Sequence, residues 1–326
     1  MRGVSCFAMV AMLWCGAVTA QAPQPNLKWP ARPVRLVVTF PPGGSTDTIA
    51  RIVMPKLAER LGQPVIIDNR PGAGGSMGVG LVVKAAPDGY TIVLGAAGAL
   101  TVNVSLSKSP PYDPIRDLAP ITMIGTSPFL LVADPSFPAN SAKEIIALAK
   151  AKPGQITYAS GGIGTAMHLS GELFRMMTGT DLVHVPYKGS GPAVAAAAAG
   201  QTSLAFADIT SALPLMKSGR VRPVAILSRQ RSELAPDIPT VAETGIPGYE
   251  SIGWFGLLGP AGMPAAIVSR INAETAVVMQ LPEMRERLLN VALEPWVSTP
   301  EEFTQFMKAE IAKWAEVIKA SGAKIE

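Results

Sequence analysis

The chain has 326 residues, a formal net charge of +4 and a hydrophobic fraction of 48%. Its 28 basic residues barely exceed its 24 acidic residues and form no run, which argues against a nucleic-acid-binding protein. The two cysteines, Cys6 and Cys15, precede the first predicted strand, so no disulfide and no cysteine-bound metal is expected beyond them. Because the chain also has only two histidines, we expect no metal site and no cofactor.

Residues 1–20 have the layout of a secretory signal peptide. Arg2 supplies the positive start, residues 6–14 form the apolar centre, and small residues lead to a cleavage site near Ala20. No later stretch approaches the roughly 18 uncharged apolar residues of a membrane helix. The pattern predicts a periplasmic protein that is soluble after cleavage.

Apolar strand-like runs alternate with helical patterns along the chain. Apolar strands separated by helices imply an α/β protein with a parallel sheet covered on both faces. The predicted elements, in chain order, are strand 34–40, helix 45–61, strand 64–69, a short helix to Ala86, strand 90–98, helix 141–154, strand 156–160, helix 165–178, strand 182–187, an alanine-rich helix, strand 202–209, and helices 264–281, 282–289 and 300–321.

Two long apolar runs suggest how the chain divides into domains. They lie at 119–135 and 221–228, near one third and two thirds of the sequence. If both cross between lobes, residues 126–224 form an inserted second domain, and the first domain consists of 21–125 plus 225–326. Two α/β lobes joined by two crossings enclose a cleft, which is a natural place for a ligand.

The stretch "FPPGGSTDTIAR" (40–51) leaves a predicted strand and enters a predicted helix. The free N–H groups and the dipole of a helix N-terminus favour an anion, and glycines allow its close approach. A hydroxyl of Ser45 or Thr46 can cap the helix. Asp47 suits the dipole but would repel an anion; it can act as a cap or hold a water or an ammonium group. Plain capping and ligand binding both explain this loop, whose candidate contacts are Pro42, Gly43, Gly44, Ser45, Thr46 and Asp47.

The stretch "YASGGIGTAMHLSGELF" (158–174) repeats this arrangement in the presumed second lobe. Helical side chains tilt toward the N-terminus, so His168 can lean back to the first turn, although an ordinary surface histidine is an equal alternative. Two such loops, one in each lobe, would form a matched pair able to grip the two ends of a small carboxylate. The candidate contacts in this loop are Ser160, Gly161, Gly162, Gly164, Thr165 and His168.

Other motifs carry less weight. The glycines of "DNRPGAGGSMGVG" lack the spacing and the following acidic residue of a dinucleotide site. The same stretch holds Ser76 in a hydrolase-like G-x-S-x-G pattern, so a secreted serine hydrolase using Ser76 with His168 or His184 is the alternative function. A long loop precedes Ser76 where that motif expects a strand, and we therefore expect no enzyme and no catalytic residues. Asp208, at the end of another predicted strand, is either a helix cap or a ligand contact.

Several of these stretches follow one another in the order and spacing of a known family. They include "WPARPVRLVVTFPPGGSTDTIAR", "VIIDNRPGAGGSMG", "YASGGIGTAMHLSGELF" and "VPYKGSGPAV". Over essentially the whole mature chain, the sequence resembles the Bug-type receptors, the TctC-like extracytoplasmic solute-binding proteins of tripartite tricarboxylate transporters. The resemblance implies a two-lobed periplasmic binding protein fold of type II, in which each lobe is a sheet flanked by helices and the ligand binds between them.

The resemblance also implies a function. Such a receptor closes on a small carboxylate, which here means a di- or tricarboxylate, a carboxylate-bearing amino acid or an aromatic acid. It then presents the ligand, as a monomer, to membrane transporter subunits or to the extracytoplasmic domain of a sensor. The family holds the ligand by the loops that correspond to 42–47 and 160–165, and brings the loop after the third strand, with Ala97, toward it. "GAAGALTVN" places alanines where the family often has polar residues, so the identity of the ligand stays open.

Overall fold

The structure is a computed structural model that describes residues 29–107 and 109–322. The predicted signal peptide, residues 1–20 with cleavage near Ala20, lies outside these residues. Within the described part of the chain, no helix combines the length and apolarity needed to cross a bilayer.

Strands and helices alternate, as the sequence predicts, through ten strands and ten α-helices of the described chain. Two short turns accompany them, a 3₁₀ turn at Ala73–Gly75 and a π-helical turn at Gly98–Val102. The elements are β1 (Val34–Val38), α1 (Ser45–Leu61), β2 (Val65–Asn69), α2 (Ser76–Val83), β3 (Thr91–Ala96), α3 (Asn103–Leu106), β4 (Leu118–Ala133), α4 (Ala142–Ala151), β5 (Ile156–Ser160), α5 (Ala166–Thr178), β6 (Leu182–Pro186), α6 (Ser190–Ala198), β7 (Leu204–Asp208), α7 (Ile209–Lys217), β8 (Arg222–Ile226), β9 (Ile252–Pro260), α8 (Ala265–Met279), α9 (Pro282–Leu289), β10 (Glu294–Pro295) and α10 (Pro300–Ser321).

Most predicted elements are confirmed, and α1 has the predicted limits. The helix predicted to run to Ala86 ends at Val83. The sequence reading missed β9, whose glycines at 253, 256 and 259 interrupt its apolar pattern. These glycines are required by packing, because a Cβ at Gly256 would lie 2.3 Å from the ring of Phe303.

The strands form one sheet in the order β2-β1-β3-β9-β4-β7-β5-β6, with β8 and β10 also paired to β4. The pairs of β1 with β2 and β3, and of β5 with β6 and β7, are parallel, as predicted. The expectation of a wholly parallel sheet is wrong, because β9 runs antiparallel to β3 and β4, and β4 runs antiparallel to β7 and β8. These strands join the sheet through long-range pairing rather than through strand–helix–strand units, which are what impose parallel order.

Strand β4 runs through both lobes. It pairs with β9 as far as Pro128 and with β7 from Phe129 onward, so the change of partner falls between two consecutive residues. One section of the sheet therefore contains β2, β1, β3, β9 and the first part of β4, and the other contains the end of β4 with β5 to β8. The domain limits at 125/126 and 224/225 stay a prediction.

Each sheet section has an apolar core on both of its faces. In the first lobe, α1, α8 and α9 cover one face and α2 and α10 the other. Helix α10 reaches both lobes, since Phe303 and Met307 pack in the first-lobe core while Trp314 and Val317 pack in the second-lobe core. The carboxyl ends of β1 and β3 in the first lobe face those of β5 and β7 in the second lobe across a cleft.

Candidate ligand-binding site

A cavity of about 790 Å³ occupies the cleft between the two sheet sections. It lies where α1, α5 and α7 begin, beside the turn after β3, the middle of β4, the start of β9 and the turn after α9. Its lining residues are Phe40, Pro41, Gly43, Gly44, Ser45, Thr46, Thr48, Ile49, Ala96, Ala97, Gly98, Ser127, Phe129, Ala166, Met167, Asp208, Thr210, Ser211, Gly253, Trp254, Phe255, Asn290, Val291, Ala292 and Leu293. Of the predicted contacts, the cavity thus brings together Gly43, Gly44, Ser45, Thr46, Ala97 and Asp208.

We call residues 40–47, between β1 and α1, the first loop. Gly44 is the N-cap of α1 and no side chain caps this helix, so the expectation that Ser45 or Thr46 does so is wrong. The first intrahelical bond is donated by the N–H of Thr48 to the carbonyl of Gly44, 2.9 Å away. The N–H groups of the three preceding residues, 45–47, therefore have no acceptor within the helix. Ser45 and Thr46 line the cavity, so free donors from this helix start are available to a ligand.

Asp47 braces the first loop from inside. It is 2% exposed and does not line the cavity. One carboxylate oxygen accepts bonds from the N–H of Gly43 (2.9 Å) and from Nε of Arg51 (2.8 Å), and the other accepts from Nδ2 of Asn69 (3.0 Å). The bond from Arg51, aided by the other two donors, lowers the pKa of Asp47 to about 2. Its predicted role as a cap is wrong, since no side chain caps α1, and its role as a holder of a water or an ammonium group stays a prediction. Pro42 is exposed and also lies outside the lining.

We call residues 160–165, between β5 and α5, the second loop. Thr165 caps α5: its Oγ1 accepts from the N–H of His168 (3.2 Å) and donates to the carbonyl of Gly162 (2.7 Å). The loop itself, with Ser160, Gly161, Gly162, Gly164 and Thr165, stands outside the lining. The next two residues, Ala166 and Met167, line the cavity instead, and their N–H groups belong to the helix start that the cap leaves open.

Two stacked histidines lie beneath the second loop. The rings of His168 and His184 are 4.1 Å apart, and Nδ1 of His168 accepts a bond from the N–H of Gly164 (3.2 Å). Nε2 of His184 lies 2.7 Å from Oγ of Ser160. Burial lowers the pKa of His168, and burial together with the neighbouring His168 lowers that of His184 to about 4. His168 therefore supports the loop as a neutral acceptor. It is buried, so the alternative of an ordinary surface histidine is wrong, while its predicted contact with the ligand stays a prediction.

Asp208 ends β7 at the cavity and caps α7. Its two carboxylate oxygens accept from the N–H of Ser211 (2.8 Å) and from the hydroxyl of Ser211 (3.2 Å). The predicted cap is confirmed for Asp208, and Thr210 and Ser211 lie inside the helix. A ligand contact of Asp208 stays a prediction.

The cavity has no cationic side chain among its described lining residues, and Asp208 is its only acidic one. What it offers are helix starts from both lobes and neutral hydrogen-bonding groups. Backbone N–H groups at helix N-termini favour anions, and they do so without a cationic side chain. The neutral polar side chains that line the cavity are Ser45, Thr46, Thr48, Ser127, Thr210, Ser211 and Asn290.

A family model described as the tripartite tricarboxylate transporter family receptor matches residues 49–323. The chain belongs to this receptor family. It is 38% identical to protein BugT of Bordetella pertussis over 299 residues, which make up 91% of this chain and 92% of BugT.

Two solved structures from Rhodopseudomonas palustris are similar to this receptor along nearly their full lengths. Rpa4515 with adipate is 36% identical, covers 91% of this chain and 100% of its own, and has a TM-score of 0.75. MatC with bound malate is 32% identical, covers 89% and 100% of the two chains, and has a TM-score of 0.72. These likenesses confirm the predicted Bug-type family and the two-lobed periplasmic binding protein fold.

The receptor does not join Ser76 to a histidine. The Ser76 hydroxyl accepts a bond from Nδ2 of Asn103 (3.3 Å), and the serine–histidine pair within hydrogen-bonding distance is Ser160 with His184. Ser160 is fully buried, so its hydroxyl is closed to a substrate in the cleft. The geometry gives no support to the hydrolase alternative.

Several residues that line the cavity of the receptor were not predicted from the sequence. Ser127 and Phe129 belong to the crossing strand β4, and Phe255 belongs to the missed strand β9. Ala292 follows α9 with a φ of 58°, a left-handed conformation that glycine usually adopts. An alanine does not indicate such a turn in the sequence. The apolar run of β4 was visible in the sequence, but its position in the cleft was not.

Proposed function

We propose that this protein is a periplasmic receptor that captures a small carboxylate between its lobes and presents it to the membrane subunits of a tripartite transporter. The observation that carries the proposal is the convergence of helix starts from both lobes on one cavity without cationic side chains. In a member of this receptor family, that arrangement suits an anion held by neutral donors. The adipate and malate in the two similar structures support a carboxylate as the ligand.

Binding is coupled to closure of the lobes. The first loop supplies free N–H groups from the first lobe, and the start of α5 supplies them from the second. A carboxylate that bonds to both sets favours the closed state over the open one, and this differential affinity shifts the population. Each charge-assisted hydrogen bond contributes about 1.5–3 kcal/mol, so bonds from both lobes together favour the closed, liganded state.

Transport is proposed over sensing because the matching family is that of transporter receptors. The protein acts as a monomer without a cofactor in this proposal, after removal of residues 1–20 in the periplasm. Strand β4 and helix α10 connect the lobes within one chain, so a single copy contains both halves of the binding cleft.

Isothermal titration calorimetry with carboxylates and their amides tests the proposal. We expect at least one small carboxylate to bind and to raise the melting temperature, while the matched uncharged diamide of the same skeleton does neither. Absence of binding across mono-, di- and tricarboxylates and amino acids would contradict the receptor function. Ester hydrolysis by the purified protein that is lost in Ser76→Ala would instead support the alternative function of a serine hydrolase.

A further inference from the structure

A continuous apolar surface forms part of the cavity. Five of its lining residues belong to one hydrophobic cluster of the first lobe, and we call them the apolar wall: Ile49, Ala96, Phe255, Val291 and Leu293. Phe40, Phe129 and Met167 add further apolar side chains to the lining. A ligand that fills this cavity therefore places part of its skeleton against hydrocarbon.

Most of the neutral polar side chains of the cavity lie at two helix starts, whereas Ser127 lies in β4 and Asn290 follows α9. Ser45 and Thr46 lie in the first turn of α1, and Thr210 and Ser211 in the first turn of α7. The carboxylate of Asp208 at the start of α7 repels a second anion there, so the α1 and α5 starts are the favourable places for ligand carboxylates. The cavity thus offers places for two carboxylates and none for a third, because a buried charge without a partner is strongly unfavourable.

We infer that the ligand is a mono- or dicarboxylate with a hydrocarbon skeleton, aliphatic or aromatic, rather than a hydroxylated acid or a tricarboxylate. This inference rests on the proposed function and narrows its ligand class. Hydroxyl groups on the skeleton lose their hydrogen bonds to water where they lie against the apolar wall, because the wall side chains themselves have no donor or acceptor. A methylene or ring carbon in the same place gains from leaving water.

Pairs of acids that differ only in hydroxyl groups give a direct test. Adipate and galactarate have the same six-carbon chain and the same two carboxylates, and galactarate adds four hydroxyls. Succinate with tartrate and phenylacetate with mandelate make the same comparison at other sizes, and citrate supplies a third carboxylate. In calorimetry we expect the unhydroxylated member of every pair that binds to bind at least ten times more tightly, and citrate to bind more weakly than the best of them.

The outcomes separate this inference from the proposed function. Tighter binding of a hydroxylated member, or of citrate, overturns the inference and leaves a carboxylate receptor in place. Failure of all seven acids to bind removes the inference, and the wider panel of carboxylates and amino acids then decides whether the receptor function stands.

A matched pair of variants tests the apolar wall itself. Val291→Thr keeps the shape of a half-buried wall residue and adds one hydroxyl, whereas Val277→Thr makes the same change on the exposed surface of α8. We expect Val291→Thr to reduce the preference within the best-binding pair about threefold and Val277→Thr to leave it unchanged. An unchanged preference in both variants, with both folded by circular dichroism, would overturn the assignment of the wall.

Discussion

The two glycine-rich loops, one in each lobe, are alike in sequence pattern and opposite in chemistry. The first loop is organised by the ionised carboxylate of Asp47, which accepts bonds from Gly43, Arg51 and Asn69. The second loop rests on the neutral rings of His168 and His184. The same arrangement of strand, glycine turn and helix is therefore stabilised by an ionised carboxylate in one lobe and by neutral imidazole rings in the other.

The loops also differ in what they offer to the cavity. The first loop is not capped by a side chain, and its own residues line the cavity from Gly43 to Thr46. The second loop bonds to itself through Thr165 and Gly162, so only the following residues, Ala166 and Met167, reach the cavity. A helix start without a capping side chain leaves its backbone N–H groups free for a ligand. In a capped start, one of these N–H groups donates to the capping side chain instead.

Removing the brace of the first loop should have the largest effect. Asp47→Ala leaves the N–H of Gly43 without its acceptor and leaves the amide of Asn69 only the carbonyl of Phe40, and we expect it to lower the free energy of unfolding by about 2 kcal/mol and to abolish carboxylate binding. Urea denaturation and calorimetry measure the two effects. Arg51→Ala is the control: its side chain is half-exposed, and Asp47 keeps its other two donors, so the loss of stability should be smaller. Equal losses in the two variants would show that the ion pair, rather than the brace, holds the loop.

A side chain at the uncapped helix start should come next. Gly44 lines the cavity, and a Cβ there would lie 3.2 Å from the carbonyl of Pro41. Gly44→Val should weaken carboxylate binding about 30-fold or more, because the backbone can no longer approach the ligand. Gly191→Val is the matched control, since Gly191 lies outside the cavity and a Cβ there meets open space. Unchanged affinity in Gly44→Val would mean that the first loop is only a connection.

The acid side of the stability curve should distinguish the two loops. The folded-state pKa values of the histidines lie below the ordinary value, so the unfolded chain binds more protons and stability falls as the pH drops from 6.5 toward about 4. The stabilisation by Asp47, whose pKa is about 2, is present above pH 3.8 and is lost only as the pH falls from there toward 2. Urea denaturation at pH 7 and pH 5 should therefore show a shallower pH dependence in His184→Asn than in the wild type, and an unaltered one in Asp47→Asn. The reverse pattern would contradict the assignment of the two supports.

The smallest expected effect concerns the cap of the second loop. Thr165→Ala and Ser141→Ala each remove an N-cap, of α5 and α4 respectively, and each should cost about 1 kcal/mol of stability. Of these two helices, only α5 begins at the cavity. The affinity for the carboxylate should therefore change in Thr165→Ala and not in Ser141→Ala. If both variants bind like the wild type, the geometry of the α5 start does not depend on its cap.

Local features of the fold were predictable from the sequence because they depend on neighbouring residues. The limits of α1 follow from the glycines before Ser45 and after Leu61, and the cap of α4 follows from Ser141 and Glu144. The family resemblance, carried by motifs spread along the chain, supplied the two lobes and the cleft. Ala97 and the first loop were placed at the cavity by the same resemblance.

Other features depend on partners that are distant in sequence. The role of Asp47 requires Asn69, 22 residues away, and the role of His168 requires a ring that stacks from β6. A carboxylate and a histidine near a helix start look the same in sequence whether they face the ligand or the interior. The place of β9 between β3 and β4 is likewise set by pairing across more than 100 residues, which no local pattern encodes.

The continuity of β4 limits how the lobes of such receptors can be exchanged by recombination. A hybrid that takes each lobe from a different parent must be joined inside a strand, at Pro128 and Phe129, rather than in a surface loop. A junction placed there keeps the ladder with β9 from one parent and the ladders with β7 and β8 from the other. A junction in the loops on either side of β4 instead gives one lobe a foreign strand, whose inward-facing side chains were selected in a different core.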